Sequence, residues 1–294
     1  MRTSRYLNAL ADFIREQKLS IYRIAVMDGD GAPEVVEITP ANVCQNCYSV
    51  AKLFTATAIG ILCDEGRLSP EDRVADLLSA EFAVAGKRGV VDIRWHHTTV
   101  HMTLTHRLGL PEGLLDIDVN DARTFGQDYL TYLLTSPLQT DPGTAYSYTD
   151  GAYYLLSRIV STITGRKLTE YLWDRLFTPL GFHEVAWSSC PYGYAIGATG
   201  LYIDAVDMVK VGHMYANGGL YDGKAILSAD WINLAKERQY GLNRVGTGSW
   251  WGKTGMLGQM LCMNFDNHRS VAWHGYNTDR DKLLAWIKGY DERM

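Results

Sequence analysis

A serine and a lysine three residues apart are the first pair in this 294-residue chain that could do chemistry together. Ser49 and Lys52 open a strongly apolar stretch that is typical of a buried helix. Residues at this spacing share one face of a helix, so the Ser49 hydroxyl and the Lys52 amine would converge. A helix N-terminus favours negative charge, which suits a hydroxyl that becomes an alkoxide. Taken alone, the pair is better explained by an ordinary serine in a first helical turn followed by a solvated lysine.

Composition limits the class of protein and partner. The chain carries a formal net charge of -5, and 47% of its residues are hydrophobic. It is long enough to bury a large core as one big domain or two interleaved ones. The acidic balance and the lack of a Lys/Arg cluster argue against a nucleic acid or an anionic membrane as partner. They favour a small neutral or cationic molecule.

Neither the start of the chain nor its most apolar run indicates a membrane segment. The basic start of the chain is interrupted by Asp12, Arg15 and Glu16 before a signal-peptide core can form, so a cytoplasmic location is expected for the chain as written. The most apolar run, residues 53–63, is too short to cross a bilayer. Export stays open for a chain whose leader has been removed.

The two ends of the chain carry the strand signals. The N-terminal part predicts a helix with an apolar face at Leu7, Leu10, Ala11 and Ile14, a strand over residues 20–27, a turn over 28–31 and a second strand over 33–39. The C-terminal part predicts helices over 204–216 and 228–236, strands over 250–255, 260–265 and 271–276, and a helix over 279–290. These patterns predict an α+β sandwich, in which an antiparallel sheet from both chain ends is flanked by helices.

The middle of the chain shows helix and loop signals. The Ser49 helix should end at Gly66, and further helices are expected from Ser69-Pro70, from Asn120 and Asp121 through Leu134, from Asp150 to Gly165, and over 168–177. We therefore predict a discontinuous sheet domain of residues 1–68 and 190–294. A mostly helical domain of residues 69–189 is inserted in it, with the active site at the interface of the two.

Cysteines and histidines offer two other kinds of site. The chain has 5 cysteines and no evident export signal, which indicates reduced thiols. Cys44 and Cys47 have the spacing of a redox motif, but the helix signal begins a few residues later than such a motif requires. The context therefore favours the alternative that they are two small hydrophobes packed under the Ser49 helix. The four histidines at 96, 97, 101 and 106 lack acidic or cysteine ligands at a recognised spacing. We expect a polar loop surface there and no metal.

Two further motifs give Ser49 and Lys52 a context. Residues 142–151 contain Tyr148-Thr149-Asp150, and residues 251–255 contain Lys253-Thr254-Gly255. With Ser-x-x-Lys, and in this order, they make the chain similar to the penicillin-recognising serine hydrolases, which include class C β-lactamases, DD-peptidases and related esterases. Residues 104–111, 151–156 and 178–181 resemble further stretches of that family in the same order. The resemblance covers nearly the whole chain.

The resemblance implies a division of roles. Ser49 would attack an acyl carbonyl and form an acyl-enzyme, with Tyr148 beside it to shuttle its proton and with Lys52 and Lys253 favouring the phenolate form of that tyrosine. Backbone N–H groups of Ser49 and Met256 would form the oxyanion hole. Substrate binding would fall to Asp150, Lys253, Thr254 and Gly255, and Lys253 and Thr254 would meet a substrate carboxylate. No metal or organic cofactor is implied. The partner would be a small-molecule or peptide-like ester, amide or β-lactam.

The chain departs from the family pattern at two places. Asp150 stands where the family usually has asparagine, and an ionised carboxylate accepts hydrogen bonds but cannot donate them. It could hold Lys52 protonated, which would favour simple esters or unusual amides over acylamino β-lactams; alternatively it is only the N-cap of the next helix. Arg107-Leu108 replaces the usual Thr-Ser in the loop at 104–111, and its effect on substrate choice cannot be read from the sequence.

Non-catalytic explanations stay open for the motif residues and for the whole chain. Tyr148 could be an aromatic packing residue, Lys253 a charge that protects a sheet edge, and Gly255 a strand bulge. The chain could also be a catalytically idle binding or regulatory protein on the same scaffold, or a slowly deacylating penicillin-binding protein.

Overall fold

The computed structural model describes residues 4–29, 31–245 and 248–291, with the side chain of residue 291 left out. The α-helices in these ranges are α1 (Arg5–Glu16), α2 (Ala51–Asp64), α3 (Val74–Leu77), α4 (Ser79–Gly86), α5 (Val100–Leu104), α6 (Tyr129–Leu134), α7 (Asp150–Thr164), α8 (Leu168–Leu172), α9 (Ala205–Ala216), α10 (Ala229–Arg238) and α11 (Arg280–Asp291). Short 3-10 turns lie at Tyr48–Val50, Ile93–His97, Ala122–Phe125 and Met256–Gly258, and a π-helical turn at Trp173–Phe177.

The strands form one large and two small sheets. They are β1 (Ile21–Met27), β2 (Glu34–Glu37), β3 (Gln45–Asn46), β4 (Ala186–Trp187), β5 (Leu201–Ile203), β6 (Leu220–Tyr221), β7 (Lys224–Ala225), β8 (Asn243–Arg244), β9 (Trp250–Thr254), β10 (Met260–Asn264) and β11 (Ser270–Gly275). The large sheet has the order β2-β1-β11-β10-β9-β8, and every neighbouring pair is antiparallel. Because both chain ends supply its strands and helices flank it, the predicted α+β fold is confirmed.

Alternating side chains of the central strands build two cores. On β11, Val271 and Trp273 join the smaller core with α1 and α11, while Ala272 between them joins the larger core. Successive strand residues point to opposite faces of a sheet, so a fully buried strand must be apolar on both sides. The four buried residues Leu7, Leu10, Ala11 and Ile14 confirm the apolar face predicted for α1. The sheet is therefore a middle layer between two sets of helices.

Helix α2 lies inside the larger core. All its residues from Ala51 to Leu62 are buried, and it contacts α7, α8 and α10. A helix that is apolar all round has to be enclosed by other elements. The residue that starts this segment, Ser49, is thus held by a helix that the whole fold surrounds.

Three sequence predictions about helix boundaries are wrong. Ser69-Pro70 forms a turn, and the next helix begins at Val74. The helix expected through Leu134 is split after Gly126, which has a φ of 70° that a helix cannot continue, and Asp128 caps α6. Thr149 caps α7 through its side chain, so the alternative that Asp150 is an N-cap is also wrong. The last error chose the polar neighbour of the actual cap, whereas Asp121 does cap the short 3-10 turn that begins at Ala122.

The two-domain division stays a prediction. Strand β4 pairs with β5, and β5 pairs with β3, so the end of the predicted helical domain joins a small sheet with segments on both sides of it. Asp30 of the predicted turn and the first three residues of the basic start lie outside the described residues. Within the described ranges, the helices lack the combination of length and apolar character that crossing a bilayer requires.

Candidate active site

Ser49 lies in a 3-10 turn that leads directly into α2. The residue before it, Tyr48, has a φ of 48°, a left-handed conformation that is unusual for a side chain of this size. Its backbone N–H donates to Asn46 Oδ1 at 2.8 Å. Gly255 packs against the same turn so closely that a Cβ there would lie 2.4 Å from the Cys47 carbonyl oxygen. Strained backbone of this kind persists only where its surroundings hold it, and here they fix the position of the Ser49 hydroxyl.

Lys52 is completely buried, and its ammonium group has three acceptors. Nζ lies 3.1 Å from Ser49 Oγ, 2.7 Å from Asp150 Oδ1 and 3.0 Å from the carbonyl oxygen of Ala198. An ammonium group has three N–H donors and no acceptor, so this arrangement fits the protonated form. Burial acts to lower the pKa of Lys52, but the charge of Asp150, followed by that of Tyr148 and by the hydrogen bonds to both, outweighs burial and raises the pKa. Lys52 is a fixed cation.

Tyr148 meets Ser49 from the opposite side of the site. Its hydroxyl oxygen lies 2.7 Å from Ser49 Oγ, and either atom can donate the hydrogen bond. Lys52 Nζ lies 4.7 Å and Lys253 Nζ 6.0 Å from the centroid of the Tyr148 ring. Tyr148 directly precedes Thr149, the N-cap of α7, so helix α7 sets the position of the tyrosine. The sequence prediction that Ser49, Lys52 and Tyr148 meet agrees with this geometry.

Asp150 lies behind Lys52. It is 3% exposed and occupies the first residue of α7. The carboxylates of Asp116, Asp118 and Asp150 have oxygen atoms within 4.8 Å of one another, and Asp118 accepts a 2.5 Å hydrogen bond from Thr199 Oγ1. This position fits a residue that orients Lys52 better than one that binds substrate, so the substrate-binding role expected for Asp150 is not supported.

The neighbouring carboxyl groups respond to burial and to each other. Burial raises the pKa of Asp116 and of Asp118, and the charge of Asp150 raises both further. Sequence reasoning missed Asp116, Asp118 and the Ala198 carbonyl, because they come from loops that only the fold brings to Lys52. Together these acceptors surround Lys52 with negative charge.

Lys253 is the second lysine of the site, and its environment differs from that of Lys52. It is 9% exposed on β9, and Nζ has a long 3.4 Å contact to Asn243 Oδ1. Burial, followed by the positive charge of Lys52, lowers the pKa of Lys253 to about 7. The pKa values of the two lysines therefore move in opposite directions. Lys52 is in direct contact with the carboxylate of Asp150, whereas Lys253 has no such contact among the described residues.

The predicted oxyanion donors, Ser49 and Met256, belong to the two segments that meet at Gly255. Gly255 packs against Cys47 and Tyr48, Ser49 follows Tyr48, and Met256 follows Gly255. Thr254 ends β9, and Met256 begins the 3-10 turn that follows Gly255. Neither the Ser49 N–H nor the Met256 N–H donates a hydrogen bond to another residue of the described ranges. The side chain of Met256 is 39% exposed, which leaves its backbone near the surface of the site. Both N–H groups are thus available to an incoming oxygen.

His106 corrects one sequence prediction. We expected it on a polar loop surface, but it is 6% exposed and its ring centroid lies 4.6 Å from that of Tyr148. Nδ1 accepts a hydrogen bond from the Thr149 N–H at 3.3 Å. Burial, followed by the nearby charges of Lys52 and Lys253, lowers the pKa of His106 well below its ordinary value, so the ring is neutral. Its place in the resemblance at residues 104–111 was the signal that could have identified it.

The two cysteines before Ser49 do not form a reactive pair. Cys47 is completely buried and Cys44 is partly buried, and both are free thiols. Burial raises the pKa of Cys44 to about 11, and burial raises that of Cys47 further. A redox cysteine needs a lowered pKa and access to solvent. The environment of these thiols therefore favours the packing interpretation over the redox one.

Comparison with known proteins places this geometry in a family. The profile of the family described as Beta-lactamase matches residues 40–275. Penicillin-binding protein 4 of Amycolatopsis lactamdurans is 30% identical over 70% of this chain and 59% of its own length. The 6-aminohexanoate-dimer hydrolase of Paenarthrobacter ureafaciens is 25% identical over 63% of this chain and 48% of its own. The chain thus spans only about half the length of these two relatives.

A solved structure shows the same fold over nearly the full chain. The crystal structure of a family VIII carboxylesterase superposes with a TM-score of 0.73 and 18% identity, covering 98% of this chain and 96% of that one. Ser49, Lys52, Tyr148 and Lys253 all fall inside the region that the family profile matches. The chain belongs to the β-lactamase family.

Proposed function

We propose that this protein is a serine hydrolase that acts through an acyl-enzyme on Ser49. The observation that carries the proposal is the position of Ser49 Oγ, 2.7 Å from the Tyr148 hydroxyl and 3.1 Å from Lys52 Nζ. A serine is activated when a base lies within hydrogen-bond distance of its hydroxyl and a third group orients the two. Membership of the β-lactamase family and relatives that include a hydrolase support it.

The first half of the reaction forms the acyl-enzyme. In this mechanism Tyr148 acts as its phenolate, and Ser49 Oγ bonds to the substrate carbonyl carbon while its proton passes to the phenolate oxygen. The carbonyl oxygen becomes an oxyanion and is met by the N–H groups of Ser49 and Met256. When the bond to the leaving group breaks, Tyr148 returns the proton to the leaving alcohol or amine. Loss of one oxyanion donor typically lowers kcat by about 100- to 1000-fold.

The second half reverses these steps with water. Tyr148 takes a proton from the water, whose oxygen bonds to the acyl carbon, and the proton then returns to Ser49 Oγ as the acid leaves. Lys52 stays protonated throughout, because Asp150 holds its charge in a buried setting. Its role is to stabilise negative charge on Tyr148 and Ser49 and not to accept the proton.

The substrate class follows from the polar groups around Ser49. Asp150 is an acceptor that is already bonded to Lys52, so it offers no amide donor to an acylamino side chain. A simple ester or a small amide suits this site better than an acylamino β-lactam. A peptide-like amide remains within this class, since it carries the same carbonyl.

Labelling and turnover test the proposal. We expect a fluorophosphonate to label Ser49 of the native protein. The probe should not label the Ser49→Ala variant, and it should label the Tyr148→Phe variant far more slowly. p-Nitrophenyl acetate should be hydrolysed with a higher kcat/KM than a chromogenic cephalosporin. An unlabelled native protein would favour the idle scaffold. A β-lactam adduct that persists on Ser49 in intact-protein mass spectrometry would favour a slowly deacylating penicillin-binding protein.

A further inference from the structure

A buried glutamine ties the Met256 turn, residues 255–259, to the end of β11. Gln259 closes this turn and is 3% exposed. Its backbone carbonyl oxygen accepts a hydrogen bond from the Gly255 N–H at 2.8 Å. Its side chain binds the backbone of Gly275, the last residue of β11: Nε2 donates to the carbonyl oxygen at 2.6 Å, and Oε1 accepts from the N–H at 3.2 Å. Gln259 therefore fixes the Met256 turn on the large sheet.

A buried histidine joins Gln259 to a second sheet. His274 is completely buried on β11, with Nδ1 3.0 Å from Gln259 Oε1 and Nε2 3.0 Å from the carbonyl oxygen of Ile203, the last residue of β5. Burial lowers the pKa of His274 to about 4, so the ring is neutral near pH 7 and has one N–H to donate. His274 thus bridges the Met256 turn and β5.

Strand β5 supports the segment that leads to Ser49. It pairs with β3, and the Leu201 carbonyl oxygen accepts a hydrogen bond from the Cys47 N–H at 2.8 Å, two residues before Ser49. The two proposed oxyanion donors, Ser49 and Met256, are therefore connected through β5, His274 and Gln259. Such donors work only when both lie about 2.7 to 3.1 Å from the oxyanion, so the spacing of the two segments matters for the reaction.

We infer that Gln259 and His274 are positioning residues that set the distance between the two oxyanion donors. They act on the reaction through the backbone of the Met256 turn, without touching the reacting atoms. An error of about 1 Å in the position of a catalytic group can cost about 100-fold in rate, so loss of this link should slow the chemical step more than it weakens substrate binding. The inference rests on the proposed function, because it concerns the same reaction.

Gln259→Met is the first test, since it removes the amide and keeps an unbranched side chain. For p-nitrophenyl butyrate, kcat should fall about 10- to 100-fold while KM stays within about 3-fold. The affinity for phenylboronic acid, which forms a tetrahedral adduct with a serine, should fall by a similar factor. An unchanged kcat in folded Gln259→Met would overturn the inference.

Val271→Ala is the matched control for a general loss of stability. Val271 is buried on the same strand as His274, but it faces the smaller core with α1 and α11. The substitution should lower stability by opening space in that core and leave kcat and the phenylboronic acid affinity unchanged. If Val271→Ala slows turnover as much as Gln259→Met does, a specific positioning role is overturned.

Two variants of nearly equal size test His274. His274→Leu and His274→Asn both remove the ring, but only the asparagine offers an N–H near the place of Nδ1. His274→Leu should lower kcat, and His274→Asn should be about 5-fold faster than His274→Leu, the net worth of one hydrogen bond. Because His274 acts through Gln259, Gln259→Met combined with His274→Leu should be no slower than Gln259→Met alone. Equal rates in His274→Asn and His274→Leu, or additive losses in the combined variant, would overturn the role of His274.

Hydrogen exchange measures the turn without turnover. The Gly255 amide should exchange at least about 10-fold faster in Gln259→Met than in the native protein, and at the native rate in Val271→Ala. Unchanged exchange in Gln259→Met would overturn the positioning of the turn. Absence of fluorophosphonate labelling of native Ser49 alongside faster Gly255 exchange in Gln259→Met would overturn the proposed reaction and leave the link between the two segments standing.

Discussion

Lys52 Nζ lies 2.7 Å from Asp150 Oδ1, and the two side chains are 0% and 4% exposed. A buried cation of this kind depends on its partner, because removing one member of the pair leaves the other charge uncompensated. The pair comes from two helices, α2 and α7, and Ser49 and Tyr148 lie two residues before the beginnings of these helices. It therefore joins the two halves of the candidate site both electrostatically and mechanically.

Asp150→Asn should destabilise the protein even though it restores the usual family residue. We expect the free energy of unfolding to fall by about 3 kcal/mol at pH 7. The pKa of Lys52 is raised in the folded state, so the pair's contribution is fully present below the pKa of an unfolded lysine, near ~10.4, and is lost as pH rises through the raised value. Urea unfolding at pH 7 and above pH 10 measures this.

A surface pair supplies the control for this variant. Asp174→Asn breaks the 2.7 Å ion pair with Arg166, whose side chain is 43% exposed, and should change the unfolding free energy by less than about 0.5 kcal/mol. If both variants change stability equally, the buried pair has no special role.

Tyr148→Phe should remove most activity without removing the fold. The hydrogen bond to Ser49 Oγ is lost while the ring keeps its contacts with His106 and Lys52. General-base catalysis typically contributes about 100- to 10,000-fold, so kcat for an ester should drop within that range. Tyr192→Phe, which is 51% exposed and away from Ser49, should keep full activity. Nearly normal turnover by Tyr148→Phe would remove Tyr148 as the proton shuttle.

Lys253 should make the use of anionic esters dependent on pH. Its pKa is lowered to about 7 by burial and by Lys52, so it is charged below that pH and neutral above it. For an ester whose carboxylate contacts Lys253, kcat/KM should therefore fall as pH rises through about 7, since this ratio reports the free enzyme. The charge of Asp150 opposes this lowering of the Lys253 pKa.

Two comparisons isolate Lys253 from other titrating groups. The two substrates are p-nitrophenyl butyrate, which is neutral, and p-nitrophenyl monoglutarate, which carries a carboxylate. The neutral ester should show no such fall in kcat/KM, and in Lys253→Met the two esters should have the same pH dependence. Burial lowers the pKa of His101, and it lowers the pKa of His106 well below its ordinary value, so both rings lose their charge at a lower pH than a free imidazole does. A pH profile that is identical for both esters would contradict a charge-dependent role of Lys253.

Gly255→Ala should disturb the nucleophile turn. The added Cβ would meet the Cys47 carbonyl oxygen at 2.4 Å and the Gln259 Cβ at 2.9 Å, so backbone has to move. Forced overpacking typically costs about 1 to 3 kcal/mol, and we expect activity to fall at least 10-fold because Ser49 moves with the turn. Chemical denaturation and ester turnover measure the two effects.

The matched glycine variant lies in α11. A Cβ at Gly289 meets nothing within 4 Å, so Gly289→Ala should be neutral or stabilise the helix by about 0.5 to 1 kcal/mol with unchanged activity. Full activity in Gly255→Ala would show that the close approach of β9 does not position Ser49.

The sequence by itself determined the elements and the reactive side chains. Apolar periodicity predicts the buried face of α1, and the strand signals predict the ends of β9, β10 and β11 to within about one residue, because a buried face requires a fixed spacing along one element. The motif order indicated Ser49, Lys52, Tyr148 and Lys253, since these residue types are needed for the chemistry. Local caps were less certain, as neighbouring polar residues such as Thr149 and Asp150 can each supply an acceptor.

Only the tertiary structure decided what surrounds these side chains. Ala198 and Asp118 reach the site from loops and Asn243 reaches it from β8, and no local pattern encodes such contacts. The burial of His106 and the opposite pKa shifts of the two lysines likewise depend on which charges the fold places within a few ångströms. Electrostatic energy varies with distance and solvent exposure, and neither is a property of a residue type.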